Sequence, residues 1–221
     1  MFTGIIQAVG QLESCEPRHG DLRLWIHSAA LSLDNVALGD SIAVNGICLT
    51  VAEKDESLFA ADLSRETLEL TTAGAWQIGD ALNLEPALTL QQPLGGHLVS
   101  GHVDGLATVS SMAEDARSLR MGFSVPKTLA HYIARKGSVT INGVSLTVNN
   151  VNGNDFDVNL VPHTLQETNL GKLEAGSQVN LEVDLLARYL ERLLTGGAAI
   201  GDAQLLLAQA VAAQDAPLQE T

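Results

Sequence analysis

The sequence predicts an all-β fold of two tandem β-barrels followed by a C-terminal helical tail. Three observations carry this prediction: a long internal repeat, short apolar stretches separated by turn residues, and a helical spacing of apolar residues near the C-terminus. The chain has 221 residues, of which 46% are hydrophobic and 4% aromatic, so it can form two aliphatic cores. Each half is therefore expected to fold around a core of its own.

The repeat is clearest in two near copies, GDSIAVNGICLTV at residues 39–51 and KGSVTINGVSLTV at residues 136–148. Asn45 and Asn142 lie 97 positions apart, and the same offset holds without a gap at dispersed positions across the first half. Solenoids and propellers have units of about 20–50 residues. A unit this long, present twice, predicts two domains of one fold.

Within each copy, short stretches alternate or run apolar, and Gly, Asp, Asn and Pro separate them. This pattern indicates about six short antiparallel strands per copy, which suits a small barrel. The stretches of the first copy are LRLWIHS, DSIAV, ICLTVAE, LFAADL and ALNLEPAL. Little helix is expected inside the copies, in LDNVAL at 33–38 and PKTLAHYIA at 126–134. We place the first barrel at 1–97, the second at 98–183 and the helical tail at 184–221.

Charge and cysteine content argue against several classes of function. A formal charge of −14 opposes binding to nucleic acid and to anionic membranes. Two cysteines, Cys15 and Cys48, without a Cys/His cluster predict neither a disulfide framework nor a metal site. The sequence shows no basic leader and no apolar stretch of membrane-spanning length, so we expect a soluble cytoplasmic protein.

The Asn45-Gly46 pair predicts a two-residue hairpin turn, which sets the register of the strands beside it. Side chains of these strands then divide between two faces. The set expected inside the barrel is Ile42, Val44, Ile47, Leu49 and Val51, and in the second copy Val139, Ile141, Val144, Leu146 and Val148. The set expected to point outward is Ser41, Ala43, Cys48 and Thr50, and in the second copy Ser138, Thr140, Ser145 and Thr147.

The outward row of small polar groups is a candidate ligand surface. Because side chains fill the interior of a small barrel, a ligand would lie between this wall and another surface, most naturally a second barrel. The alternative for Thr50 or Thr147 is that the hydroxyl simply solvates an exposed strand. An outward thiol such as Cys48 is a liability unless something covers it, although a covered thiol can be merely structural.

His97 and His102 lie near the junction of the two copies. Their spacing of five matches neither a strand face nor a helix turn, so a shared metal is not expected. Either could transfer protons, because the unperturbed pKa of histidine is about 6.5, and either could be a hydrogen-bonded structural residue. His102 is the better candidate, because the offset places it opposite Ile5, in the segment that opens the first copy.

Five motifs between residue 1 and about residue 194 resemble those of riboflavin synthases of the α-chain type. They are MFTGII, GGHLVSGHVDG, the pair NGICLTV and NGVSLTV, LVPHTLQETNLG, and NLEVDLLARYLERLL. The resemblance implies two tandem six-stranded Greek-key β-barrels and a C-terminal α-helix that gathers three chains into a homotrimer.

The implied reaction converts two molecules of 6,7-dimethyl-8-ribityllumazine into riboflavin and 5-amino-6-ribitylaminouracil, by transfer of a four-carbon unit, with no cofactor and no metal. Each barrel would hold one lumazine, and the reacting pair would form where the N-barrel of one chain meets the C-barrel of a neighbour. Lumazine synthase is a further candidate partner, because it encloses this enzyme in some organisms.

The resemblance also implies a set of ligand contacts in each barrel. In the N-barrel they map onto Gly4, Ile5, Ile6, Cys48, Leu49, Thr50, Asp62, Leu63, Ser64, Arg65, Glu66 and Thr67. In the C-barrel they map onto Gly101, His102, Val103, Lys136, Ser145, Leu146, Thr147, Asn159, Leu160, Val161, Pro162, His163 and Thr164.

Family and chemistry together give His102 a part in proton transfer. Cys48 or Ser41 would polarise or attack the ring of the other substrate, with water as a rival nucleophile. The alternative function is a non-catalytic lumazine or flavin carrier, like the light-emission antenna proteins of the same ancestry. Such carriers tend to lose groups from one pocket, and this chain keeps both sets. A barrel pair that binds nothing would leave the outward polar rows unexplained.

Two features depart from the family pattern. Asn142 stands where some relatives have Asp, which leaves only turn formation at this position. Gly196-Gly197 is expected to end the trimer helix, and AQLLLAQAVAAQ beyond it predicts a second helix. The apolar stripe of the trimer helix consists of Leu186, Tyr189, Leu190, Leu193 and Leu194.

Overall fold

The computed structural model describes residues 1–196 and confirms the two barrels. Residues 1–185 form one compact unit that contains both barrels, and the C-terminal helix belongs to a second unit. The first copy comprises β1 (Ala8–Arg18), β2 (Asp21–His27), β3 (Ser41–Val44), β4 (Ile47–Lys54), β5 (Leu58–Leu63), α1 (Arg65–Leu70), a 3-10 turn (Thr72–Ala75) and β6 (Ala81–Pro86).

The second copy repeats this order and has one additional short helix. It comprises β7 (Gly105–Asp115), β8 (Ser118–Ser124), α2 (Lys127–Ala130), β9 (Ser138–Ile141), β10 (Val144–Asn152), β11 (Asp155–Leu160), α3 (Pro162–Glu167), a 3-10 turn (Asn169–Lys172) and β12 (Gln178–Val183). The last element is α4 (Leu185–Thr195).

Each copy closes into a six-stranded antiparallel barrel with the same Greek-key strand order, β1-β2-β5-β4-β3-β6 in the first and its equivalent in the second. Even the irregularities repeat at the offset of 97. The register of β4 against β5 shifts between Val51 and Glu53, and that of β10 against β11 shifts between Val148 and Asn150. Such bulges bend a strand so that a small barrel can close.

The hairpin prediction is confirmed. Asn45 and Gly46 have positive φ angles of 47° and 79°, as a type I′ turn requires, and Val44 pairs with Ile47. Every residue of the predicted inward set is at most 9% exposed. Of the outward set, Thr50 is exposed and Cys48 is half-buried. Ala43 and Thr140 lie on the outer faces of their barrels, where other segments cover them.

The helix predictions inside the copies were partly wrong. Residues 33–38 form turns instead of a helix, because the Ser32 hydroxyl accepts the N–H of Asp34 and the Asp40 carboxylate accepts the N–H of Ala37. Side-chain bonds of this kind compete with the backbone ladder of a helix. Only Lys127–Ala130 of the second stretch is helical, and α1 and α3 were not predicted.

A cluster of buried asparagines joins the two barrels. The Asn83 amide donates to the Asn142 carbonyl, and in the equivalent bond the Asn180 amide donates to the Asn45 carbonyl, both at 2.9 Å. Asn169 donates to the Asn45 side chain and accepts from Asn83, also at 2.9 Å. Buried amides need such partners, so this network specifies how the barrels meet.

The C-terminal helix α4 ends at Thr195 and Gly196 follows it, as expected. The predicted apolar stripe is exposed: Leu186 at 72%, Tyr189 at 64%, Leu190 at 59%, Leu193 at 73% and Leu194 at 59%. The predicted second helix lies outside the described residues. Within residues 1–196, no helix is long and apolar enough to cross a membrane.

Candidate functional site

The first candidate surface is a polar row across four strands on the outer wall of the N-barrel. Ser41 pairs with Thr50 between β3 and β4, and Arg23 pairs with Asp62 between β2 and β5. Val51 pairs with Ala61 between β4 and β5, so the next pair in this antiparallel register is Thr50 beside Asp62. Three predicted site residues, Ser41, Thr50 and Asp62, therefore meet in one row.

The C-barrel carries the equivalent row with one change of charge. Ser138 pairs with Thr147, and Asn159 pairs with Arg120. Asn159 stands where the first copy has Asp62, so this row has an amide in place of a carboxylate. The two outer walls are alike in shape and unequal in chemistry.

An ion pair holds Asp62 in its row. The Arg23 side chain donates through Nε and Nη2 to the two carboxylate oxygens of Asp62, each at 2.6 Å, and its Nη1 contacts Glu53. These hydrogen bonds lower the pKa of Asp62, and the same carboxylates raise the pKa of Arg23. Arg23 is only 7% exposed, and the sequence gives no signal for its role because one arginine in a strand is an ordinary feature.

The segments that open the two copies are exchanged between the barrels, which corrects the predicted grouping. The Ser145 N–H donates to the Gly4 carbonyl, and the Cys48 N–H donates to the Gly101 carbonyl, both at 2.8 Å. Residues 4–6, which the resemblance maps onto the N-barrel site, therefore lie against the C-barrel.

The side chains that follow confirm this exchange. Ile6 packs against the core of the C-barrel, and Val103 packs against the core of the N-barrel. Residues 101–103 thus belong to the wall that carries Cys48. Each candidate pocket is built from both copies.

The Cys48 side chain is half-buried beneath a small apolar cluster. Phe2, Ala43 and Val99 form this cluster, and Cys48 packs against it. Phe2 and Val99 are also joined by backbone hydrogen bonds of 2.7 and 3.1 Å. The covering that an outward thiol requires is therefore supplied in part by Phe2 and Val99, which lie just before the two exchanged segments.

Ser145, the equivalent of Cys48, has a different neighbour. Its hydroxyl lies 2.7 Å from Nδ1 of His97, whose Nε2 lies 3.3 Å from the Thr140 hydroxyl. Burial lowers the pKa of His97, against an opposing effect of the Asp184 carboxylate. The sequence favours His102 over His97, because His97 lies upstream of the repeat boundary. The structure instead gives His97 a defined partner in the C-barrel wall.

The remaining charged candidates are exposed. His102 follows Gly101 directly, and its N–H donates to the Ser100 hydroxyl at 3.2 Å. Lys136 has a left-handed backbone with φ of 65°, and its Nζ lies 3.4 Å from the Asn149 side chain. His163 is exposed in the first turn of α3.

The other predicted contacts lie in the barrel strands and at the starts of the helices that follow them. The side chains of Leu49, Leu63, Leu146 and Leu160 are buried in the barrel cores, so only their backbones can face a ligand on the outer wall. Ser64 caps α1 by accepting the Thr67 N–H at 3.3 Å. Arg65 is exposed and paired with Glu69, while Glu66, Val161 and Pro162 are exposed and Thr164 is half-buried.

Two cavities bear on where a ligand could bind. A cavity of about 380 Å³ lies at the asparagine cluster and is lined by Trp76, Lys172 and the turns around them, without Cys48 or Ser145. A second, of about 280 Å³, includes Thr3, Ile5 and Glu85. Within residues 1–196, no group of three or more His, Cys, Asp or Glu side chains is placed to hold a metal ion.

Comparisons with known proteins match this architecture. A family model described as the lumazine binding domain matches residues 3–87 and 100–184. Riboflavin synthase of Photobacterium phosphoreum is 46% identical over 194 residues, covering 88% of this chain and 89% of that protein. Riboflavin synthase of Brucella abortus (strain 2308) is 43% identical over 198 residues, covering 87% of this chain and 98% of that protein.

Solved structures give the same result for the fold. LumP complexed with riboflavin has a TM-score of 0.75 at 29% identity, covering 83% of this chain and 99% of LumP. LumP complexed with 6,7-dimethyl-8-(1'-D-ribityl) lumazine has a TM-score of 0.73 at 28% identity with the same coverage.

Proposed function

The chain belongs to the riboflavin synthases, which carry the lumazine binding domain twice, and from this premise we propose how its two barrels share the reaction. The activity is that of a transferase, in which two molecules of 6,7-dimethyl-8-ribityllumazine give riboflavin and 5-amino-6-ribitylaminouracil. One lumazine donates a four-carbon unit and the other accepts it. The protein must therefore bind two copies of one molecule and treat them differently.

The observation that carries our proposal is the pair of matched outer walls with unequal groups. Each wall would hold one lumazine: the N-barrel wall along Ser41, Thr50 and Asp62, and the C-barrel wall along Thr147 and Asn159. Hydroxyl and amide groups suit the heterocycle and the ribityl chain, which present many donors and acceptors. Similar shape serves the identical ligands, and different charge serves their different roles.

In the N-barrel pocket the reactive candidate is Cys48. A thiolate is a much better nucleophile than a hydroxyl near neutral pH, so Cys48 would attack or polarise the ring of the lumazine bound there. Ser41, one strand away, is the alternative residue for this role, and water is a rival nucleophile. His102 is placed on the same wall by the exchange of segments and is the candidate proton carrier of this pocket.

In the C-barrel pocket the corresponding group is the Ser145–His97 pair. Burial lowers the pKa of His97, which favours its neutral form, and a neutral imidazole can accept a proton through one nitrogen while its other nitrogen donates. The reaction begins when a proton leaves the acidic methyl group on C7 of one lumazine. His97, directly or through the Ser145 hydroxyl, is our candidate to receive it.

We propose a homotrimer in which the N-barrel of one chain meets the C-barrel of the next, so that the two lumazines can react across the boundary between chains. The exposed apolar stripe of α4 supports self-association, because a stripe of leucines at helical spacing is normally covered by a partner. We place the protein in the cytoplasm. Lumazine synthase remains a candidate partner, which co-sedimentation of the two purified proteins would test.

Incubation of the purified protein with 6,7-dimethyl-8-ribityllumazine tests the function. We expect riboflavin absorbance to grow at half the rate at which lumazine is consumed, because two substrates give one riboflavin. A stable, saturable shift of lumazine fluorescence without product would instead support a carrier.

Removal of residues 185–221 tests the assembly. We expect light scattering to show monomers, and lumazine binding to survive in them while turnover falls. A trimer that persists without α4 would contradict the role assigned to this helix.

A further inference from the structure

We propose that Glu85 and Glu182 are positioning residues of the two pockets, and that each acts from the barrel opposite the pocket it serves. The inference rests on the proposed function for its catalytic consequence, although its geometry does not. Neither glutamate belongs to the outer-wall rows described above. Both close the NLE motif that recurs at residues 83–85 and 180–182.

Glu182 lies in β12 of the C-barrel and holds the segment that covers the N-barrel wall. Its Oε1 accepts the N–H and the hydroxyl of Ser100, both at 2.7 Å, and its Oε2 accepts the N–H of Gly101 at 3.0 Å. The Gly101 carbonyl in turn accepts the Cys48 N–H at 2.8 Å. The chain of contacts runs from the C-barrel, through residues 100–101, to the thiol wall of the N-barrel.

Glu85 lies in β6 of the N-barrel and makes the equivalent set of bonds. Its Oε1 accepts the N–H of Thr3 at 2.7 Å and the hydroxyl of Thr3 at 2.6 Å, and its Oε2 accepts the N–H of Gly4 at 2.9 Å. The Gly4 carbonyl accepts the Ser145 N–H at 2.8 Å, and the Thr3 carbonyl accepts the His97 N–H at 3.1 Å. Glu85 therefore supports the Ser145–His97 pair from across the barrel junction.

Each hydroxyl that donates to a glutamate also accepts a backbone N–H further along its own segment. The Ser100 hydroxyl accepts the N–H of His102, and the Thr3 hydroxyl accepts the N–H of Ile5, each at 3.2 Å. The backbone of His102 is thereby fixed relative to Glu182. A glutamate thus orders three successive residues of the segment it holds.

Both glutamates are buried, at 4% exposure, so the loss of one of these hydrogen bonds is costly. Burial raises the pKa of each glutamate, and the hydrogen bonds it accepts oppose that effect. A carboxylate can accept all three donors, whereas a glutamine amide has one oxygen and one donating NH2 group. In Glu182→Gln the donating NH2 group would therefore face at least one backbone N–H that the carboxylate accepts, while the size of the side chain is preserved.

The test measures alkylation of Cys48 by iodoacetamide in the full-length protein, read by peptide mass spectrometry. Glu182→Gln and Glu85→Gln are matched variants, and Cys15 is the internal control. We expect Glu182→Gln to raise the alkylation rate of Cys48 about tenfold or more. This factor corresponds to the loss of one hydrogen bond to a charged group. Glu85→Gln should change the alkylation rate of Cys48 by less than about twofold, because Glu85 supports the C-barrel wall and not the wall that carries Cys48.

Equal Cys48 rates in the two variants would overturn the proposal, and so would a parallel rise at Cys15, which would indicate general loosening. If Glu182→Gln does not fold, Ser100→Ala tests the same contacts with the glutamate intact. We expect a rise of about fivefold at Cys48, the value of one ordinary hydrogen bond. An unchanged rate would contradict the proposal.

Steady-state kinetics separate this inference from the proposed function. Both glutamine variants should lower kcat about tenfold with KM changed less than about threefold, because the walls still bind lumazine but no longer align its reactive neighbours. Wild-type protein that makes no riboflavin would refute the function and leave the alkylation result standing. Full turnover in both variants with unchanged alkylation would refute the positioning role alone.

Discussion

Replacement of Gly101 by alanine tests the close contact between the exchanged segment and the N-barrel wall. Gly101 has φ of 79°, a left-handed conformation that costs a residue with Cβ roughly 1–2 kcal/mol. A Cβ here would lie 2.6 Å from Cβ of Cys48 and 2.8 Å from Cε2 of Phe2. Carbon atoms prefer about 3.5–4 Å, so the segment would have to move by about 1 Å.

That movement would break the 2.8 Å bond from the Cys48 N–H to the Gly101 carbonyl, with a net loss of about 1 kcal/mol. Backbone strain and the lost bond together predict a fall of about 2–3 kcal/mol in the free energy of unfolding. Urea denaturation measures this change, and riboflavin formation measures its effect on turnover, which should fall because Cys48 and His102 lose their alignment.

Gly176→Ala is the matched control. Gly176 has a similar φ of 92°, and a Cβ there would meet nothing within 4 Å, so this variant carries backbone strain alone. We expect Gly101→Ala to be about 1 kcal/mol less stable than Gly176→Ala, and to be much less active. Equal stability and equal turnover in the two variants would refute the contact.

Three further substitutions test the chemistry of the walls. Cys48→Ser should lower kcat about tenfold or more with less than about threefold change in lumazine affinity, whereas Cys15→Ser should change neither; equal turnover in both would remove the thiol from the mechanism. Lys136→Gly, which copies Gly39 at the equivalent position, should relieve left-handed strain and raise the free energy of unfolding by about 0.5–1 kcal/mol. In a fluorescence titration the same variant should bind lumazine more weakly, and unchanged affinity would exclude the ammonium group from the site. Asp62→Asn should lower the free energy of unfolding at pH 7. The difference in this free energy between the wild type and the variant should shrink as pH falls below about 4, because Asp62, whose pKa is lowered, stabilises the fold only while it is ionised. A difference in urea denaturation that is constant from pH 7 to pH 3 would contradict the ion pair with Arg23.

The barrels could be predicted because the hairpin and its register follow from local rules. An Asn-Gly pair between strands selects a two-residue turn, and the period of two then decides which side chains face the core. The observed pairs Ser41–Thr50 and Ile42–Leu49 are those that this turn requires. The repeat gave a second test, since each strand and turn assigned in one copy had to fit the equivalent residues of the other copy.

The exchange of opening segments could not be predicted, for a physical reason. A repeat offset aligns Gly4 with Gly101, and it is satisfied equally whether each segment covers its own barrel or the neighbouring one. Only tertiary contacts, such as the Ser145 bond to Gly4, distinguish the two arrangements. The partnership of His97 with Ser145 was hidden for the same reason.

The short helices were missed because six residues carry too little periodicity. Helix α1 begins after Ser64, whose hydroxyl accepts the Thr67 N–H, and this cap was the one sequence signal available. Helix α3 has Pro162 at its first turn instead. Both helices follow a barrel strand directly, so the strand pattern alone gave no sign of the change.

A crystal structure of the protein with bound 6,7-dimethyl-8-ribityllumazine tests the central claim most directly. We expect one heterocycle on the N-barrel wall beside Cys48 and residues 101–103, and another on the C-barrel wall beside Ser145 and residues 4–6. Lumazine bound instead in the cavity lined by Trp76 and Lys172, with both walls empty, would contradict the account.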